Sequence, residues 1–223
     1  MIAPLADGVE RVVLVGTDDA PVGVSEKLAA HERGTLHRAC SVFVFDEAGR
    51  LLLQRRAATK YHSPGLWSNS CCGHPRPGEG IVAAGRRRLR EEMGVDCALR
   101  RVGALRYRAP LAGGLVEHEY DHLLAGIAGA TPVPNADEAD AWTWSELAPL
   151  LRAMHAHPER FTAWFGAALR ALLESPGADV FVGRARRAAL APLARAIDSP
   201  SITVLAIDGQ AYPSHPGARH VHA

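Results

Sequence analysis

Cys72, Gly73 and His74 place a thiol and an imidazole side by side at the mouth of a loop rich in glycine and proline, Gly73-His-Pro-Arg-Pro-Gly-Glu79. The loop runs into Arg87-Arg88-Leu-Arg-Glu-Glu92-Met-Gly94, where Arg88 and Glu92 are four residues apart and so share one face of a helix. A carboxylate and a guanidinium on one helix face can meet a small anion, through a bound cation and direct contacts. Cys72 reads as an acid/base or nucleophile if the loop and the helix start lower its pKa, and as a small buried hydrophobe if they do not. Its neighbour Cys71 is expected to pack.

A second set of chemistry-bearing residues lies elsewhere in the chain. Glu117 and Glu119 flank His118 in a strand-like segment, and alternation puts both carboxylates on one face, with Val116, His118 and Tyr120 on the other. A solvated strand face is one reading. A divalent metal site is the other, if His31, His37 and His74 come to the same place. Lys27, Arg56, Lys60 and Arg88 are candidate diphosphate contacts, or ordinary surface charge. Trp67, Tyr107 and Trp164 are core aromatics or a wall against a developing carbocation.

The elements that must position these groups follow from periodicity. Val12–Val15 is a short apolar strand, and Ser25–His31 a helical turn capped by Ser25. Ser41–Phe45 and Arg50–Arg55 form a hairpin across Asp46–Gly49. Residues 56–79 are long and irregular for a passive connection, which points to function. Ile81–Met93 is a helix stopped by Gly94, with Val82, Gly85, Leu89 and Met93 as its buried stripe. Strands are expected at 99–108, 114–125 and around Trp142–Trp144. Helices are expected to open at Ser145 and Pro158, the second carrying Phe161, Trp164, Phe165, Leu169 and Leu172. Beyond Ser175-Pro-Gly177 come an Ala/Arg-rich amphipathic segment, Gly183–Ile197, a strand at Ile202–Ala206 and a tail expected to be disordered, with His215, His220 and His222 in it.

Composition limits the function classes. The 223 residues are 48% hydrophobic and 22% charged, with 25 basic and 24 acidic side chains for a net charge of +1. Such a balance gives no reason to expect a nucleic-acid partner. No apolar run reaches the ~18 residues of a membrane span, and Met1–Asp7 lacks the charged and apolar regions of a secretory signal. The four cysteines (Cys40, Cys71, Cys72, Cys97) form no CxxC pair and no disulfide framework, so reduced thiols in the cytoplasm are expected.

The chain resembles the type I isopentenyl-diphosphate Δ-isomerases, which have a Nudix fold. The motifs that carry the resemblance are Glu26-Lys-Leu-Ala-Ala-His31, Thr35-Leu-His37, Leu53-Gln-Arg-Arg-Ala57, Trp67-Ser-Asn-Ser-Cys-Cys-Gly-His-Pro75, Arg106-Tyr-Arg108 and Val116-Glu-His-Glu119, spread over roughly residues 10–175. The loop and helix have the spacing of a Nudix box whose first helix glutamate is replaced by Arg88. The resemblance implies an α/β (α+β) fold, a mixed central β-sheet sandwiched between helices, in a domain of residues 1–175 with a C-terminal extension at 176–223. It implies isomerisation of isopentenyl diphosphate to dimethylallyl diphosphate through a tertiary carbocation. It also implies roles for single residues. Cys72 is the catalytic thiol, with Glu119 and Tyr107 as the opposing acid/base. His31, His37, His74, Glu117 and Glu119 hold one divalent ion (Mn²⁺, Zn²⁺ or Mg²⁺), and Glu92 holds Mg²⁺ together with the substrate diphosphate. Lys27, Arg56, Lys60 and Arg88 grip that diphosphate, while Trp67 and Trp164 line the substrate site. The implied partner is a small prenyl diphosphate, with no nucleic acid, no membrane insertion, and a monomer or homodimer as the assembly. A Nudix pyrophosphohydrolase is the alternative reading, and a non-catalytic diphosphate-binding protein a third.

Overall fold

The structure, a computed structural model, describes residues 10–197 and 202–205. The first nine residues and the expected disordered tail lie outside that range. Among the described residues the order is β1 (Arg11–Val15), β2 (Pro21–Glu26), α1 (Lys27–Arg33), β3 (His37–Phe45), β4 (Leu51–Arg56), β5 (Trp67–Ser68), β6 (Cys71–Gly73), α2 (Ile81–Met93), β7 (Leu99–Pro110), β8 (Val116–Ile127), β9 (Ala139–Ser145), α3 (Leu147–Ala156), α4 (Ala163–Glu174), α5 (Asp179–Val182), α6 (Arg184–Arg195) and β10 (Thr203–Leu205).

β3 and β8 are buried along nearly their whole length, as expected of strands covered on both faces. They pair in parallel, His37 opposite Glu119 through Phe45 opposite Ile127, and β7 flanks β8 antiparallel, with Tyr107 opposite Glu119. The main sheet path is β10-β7-β8-β3-β1-β2. On one face α2 lays Leu89 and Met93 in a cluster with Val42, Val44 and Leu124. On the other, α3, α4 and α6 supply Leu150, Phe165, Leu169 and Leu190 to a cluster with Phe43, Leu105 and Leu123. The mixed sheet is therefore sandwiched between helices. The segment after residue 175 shares this second core through Val182, Leu190 and Ile197, and β10 adds an edge strand to β7, with Val204 opposite Tyr107.

Most elements stand where periodicity puts them; α2 has the expected bounds, though Val82 is only partly buried. Three readings need correction. The turn Asp46–Gly49 does join β3 to β4, but the strands pair only at Phe45 opposite Leu51. They then part, β3 pairing with β6 and β8, and β4 with β5 and β9. Ser25 lies within β2 instead of capping a helix; α1 starts at Lys27, after Glu26, without a side-chain cap. Pro158 opens only a 3₁₀ turn, and α4 begins at Ala163, because the backbone at Phe161 and Thr162 bridges to Trp67.

Gly94 ends α2 at φ 63°, and a Cβ there would stand 2.6 Å from the Val133 carbonyl oxygen. Left-handed strain and a backbone clash coincide, so Gly94→Ala is expected to lower stability by about 1–3 kcal/mol. The midpoint of urea unfolding measures this, and an unchanged midpoint contradicts it.

Candidate active site

The row His37, Glu119, Tyr107 is set by register, since β3, β8 and β7 bring the three residues opposite one another. Glu117, two residues from Glu119, points to the same face. α1 contributes His31, and the turn after β6 contributes His74. One ligand atom from each of His31, His37, His74, Glu117 and Glu119 lies within 4.8 Å of all the others. His31 Nε2 is 3.1 Å from Glu117 Oε2, His74 Nε2 is 3.0 Å from Glu119 Oε1, and His37 Nε2 is 3.6 Å from the same oxygen. All five residues are buried.

Second contacts orient these ligands. His37 Nδ1 lies 2.8 Å from the Thr35 carbonyl, so it carries the hydrogen and Nε2 keeps its lone pair. His31 Nδ1 meets the Tyr61 hydroxyl at 3.3 Å. Yet His31 Nε2, His37 Nε2, His74 Nδ1 and Glu117 Oε2 are buried without a hydrogen-bond partner. Unpaired buried polar atoms are costly, and here they converge with two carboxylates. Such a set of imidazole and carboxylate donors fits a divalent cation.

Beside this cluster lies a cavity lined by Cys72, Tyr107, Glu119 and Trp164, and by the expected diphosphate residues Lys27, Arg56, Lys60, Arg88 and Glu92. The structure thus brings together the residues singled out from sequence, with one exception. Trp67 is not among those lining the cavity. Paired through β5 to Arg55 of β4, it packs partly buried against the α4-side core.

Tyr107 donates its hydroxyl to Glu119 Oε2 at 2.7 Å. Burial works to raise the Glu119 pKa, but the neighbouring His37 and the Tyr107 hydroxyl outweigh it and hold the carboxyl at about 2. Cys72 departs from expectation. It lies in β6, opposite Ser41 of β3, and α2 starts only at Ile81. Burial, and then the charge of Asp121, push its thiol well above the usual range, so it keeps its proton. Cys71 is wholly buried, as expected.

Arg88 donates to Glu92 (2.7 Å), Glu138 (3.0 Å) and Glu91 (2.8 Å). Its chain passes over Gly73, where a Cβ would meet Arg88 Cγ at 2.6 Å, so the glycine of the Cys-Gly-His turn makes room for it. Glu92 is buried and also accepts from Gln54 at 2.7 Å; burial raises its pKa. Lys60 pairs with Glu138 at 2.6 Å, and Lys27 with Glu10 at 3.0 Å. The Arg56 guanidinium lies 5.6 Å over the Trp164 ring.

Several lining residues were not anticipated. Glu138 joins Lys60 to Arg88, and Glu10 lies beside Lys27 and His74. Tyr61 and His62 come from the 56–79 segment whose length pointed to function; His62 Nε2 is 3.6 Å from Glu117, and burial lowers its pKa to about 3. No spacing rule marks Glu10 or Glu138, which meet their partners only through the fold.

Comparison with known proteins agrees with this architecture. Residues 35–165 match the NUDIX domain. An isopentenyl-diphosphate Delta-isomerase of Burkholderia multivorans is 56% identical over 156 residues, 70% of this chain and 89% of the relative. One of Aromatoleum aromaticum is 53% identical over 160 residues, 72% of this chain and 85% of the relative. The crystal structure of DR0079 from Deinococcus radiodurans shares the fold at a TM-score of 0.60 and 23% identity, over 73% of this chain and 99% of that one.

If the His/Glu cluster holds a cation, Glu117→Gln removes an anionic ligand and is expected to weaken Mn²⁺ or Zn²⁺ binding at least about tenfold by calorimetry. The partly exposed Glu91→Gln serves as a control with unchanged affinity. Equal affinities for the wild type and Glu117→Gln would remove Glu117 from the ligand set.

Proposed function

Because the chain belongs to the isopentenyl-diphosphate Delta-isomerase family of NUDIX-domain proteins, we infer that it converts isopentenyl diphosphate to dimethylallyl diphosphate. An allylic 1,3 shift requires a proton delivered to one carbon and another removed two carbons away, so two proton-transfer groups must flank the hydrocarbon. The observation that carries the reading is that Cys72 and Glu119 line one cavity in opposite states. Burial keeps the proton on the thiol, while the neighbouring His37 and the Tyr107 hydroxyl keep the carboxylate ionised. Since the reaction is reversible, their roles exchange with its direction. Tyr107 steadies Glu119, and Trp164 offers π-electrons to the tertiary carbocation.

His31, His37, His74, Glu117 and Glu119 would hold Mn²⁺, Zn²⁺ or Mg²⁺. A cation there draws charge from Glu119 and fixes its orientation when bound. Glu92 would hold Mg²⁺ with the substrate diphosphate, and Lys27, Arg56, Lys60 and Arg88 would neutralise the remaining phosphate charge. The same elements disfavour pyrophosphate hydrolysis. Arg88 stands where a Nudix box has its first helix glutamate, so a cation replaces a carboxylate that would serve metal or base. Four free cysteines suit a reducing compartment, which supports a cytoplasmic enzyme. Among the described residues no helix is long and apolar enough to cross a membrane.

Incubation with isopentenyl diphosphate and Mg²⁺ in deuterated water is expected to yield dimethylallyl diphosphate carrying deuterium, and Cys72→Ala to abolish turnover. Release of phosphate or pyrophosphate without isomer would replace this reading with hydrolysis.

A further inference from the structure

Asn69, wholly buried between β5 and β6, is held in one orientation by its surroundings. Nδ2 donates to the Cys71 carbonyl at 2.8 Å and to the Val42 carbonyl at 3.2 Å, which uses both amide hydrogens. Turning the amide over would set Oδ1 against two carbonyl oxygens, so the network assigns the two atoms. Oδ1 accepts the Ser68 hydroxyl at 3.1 Å and faces Cys72 Sγ at 3.3 Å. Nδ2 is also 3.2 Å from Sγ, but its hydrogens are committed, which makes the thiol the donor of this pair. A second acceptor, Ser41 Oγ, is farther off at 3.6 Å, and its own hydrogen goes to Asp121 Oδ2 at 2.7 Å.

Resting on the isomerase reading, we propose that Asn69 is a positioning residue for the Cys72 thiol. Its amide, anchored on two strands by backbone carbonyls, fixes where Sγ stands and where the S–H bond points in the free enzyme. Whenever Cys72 gives up its proton, the S–H bond breaks, a C–H bond forms from the alkene π pair, and sulfur keeps its electron pair as thiolate. Only rotation about Cβ–Sγ separates the resting hydrogen bond from delivery into the cavity. The diphosphate contacts are made by other residues, so Asn69 acts on the chemical step and not on binding.

In an active enzyme Asn69→Ala is expected to lower kcat about 10- to 100-fold, with KM within about twofold of wild type and metal content unchanged. Asn69→Asp keeps an oxygen that accepts the thiol and is expected to retain more kcat than Asn69→Ala. A purely structural amide would give the reverse order, because a carboxylate facing two carbonyls disturbs the loop more than alanine does; that order, or a loss confined to KM, overturns the proposal. The infrared S–H band from wild type minus Cys72→Ala needs neither turnover nor a folded Asn69 variant. It is expected below the frequency of a free thiol and to remain there in Ser41→Ala. A band at the free-thiol position overturns the proposal even in an active isomerase. A lowered band in a protein without isomerase activity would instead sink the functional reading while leaving the hydrogen bond in place.

Discussion

The carboxylate of Glu119 is shared between two tasks, and the sharing rests on the register of three strands. One oxygen takes the Tyr107 hydroxyl at 2.7 Å, and the other faces His74 at 3.0 Å and His37 at 3.6 Å. Slipping β8 by one residue against β3 or β7 would turn Glu119 to the opposite face and bring His118 or Tyr120 inward. The full parallel pairing of β3 with β8, backed by apolar cores on both faces, makes that slip costly. The two helical layers therefore serve the site indirectly, by leaving the strands no other register.

Charge at the site follows a similar economy. Burying three imidazoles with two carboxylates is costly without a compensating cation. Lys27, Lys60 and Arg88 are likewise each paired with a carboxylate. Neutralised in this way, the cations are held in place in a protein of nearly zero net charge.

Sequence encoded the faces of this fold better than its pairings. The bounds of α2 follow from its apolar stripe and from Gly94, and alternation along β8 puts Glu117 and Glu119 together, because helix and strand periods are local properties. The separation of β3 from β4 is not local. It depends on β6 and β8 competing for the edges of β3, which no turn signal reveals. The environment of the Cys72 thiol is non-local for the same reason. A loop near a helix start suggested a lowered pKa, but pairing with β3 sinks the thiol beside Asp121 and reverses the sign. Glu138 and His62 carry no periodic or spacing signal, and Asn69 is marked only by its place in the Trp67–Pro75 motif. Each matters through one or two contacts to residues distant in sequence, such as Glu138 with Arg88 or Asn69 with Val42.

Arg88 shows how little change separates two chemistries on one scaffold. A glutamate at this position of the helix would add negative charge beside Glu92 and Glu138, drawing in metal and offering a base for water. A guanidinium instead binds Glu91, Glu92 and Glu138 together and leaves the site a cation to meet phosphate oxygens. On the proposed reading the diphosphate is then held as a charged anchor and not prepared as a leaving group. On that reading reactivity passes to the protonated thiol of Cys72 and the ionised carboxylate of Glu119, which line the same cavity. Water attack on the diphosphate would then lose its base, while proton exchange with carbon would gain a pair of groups held in opposite states.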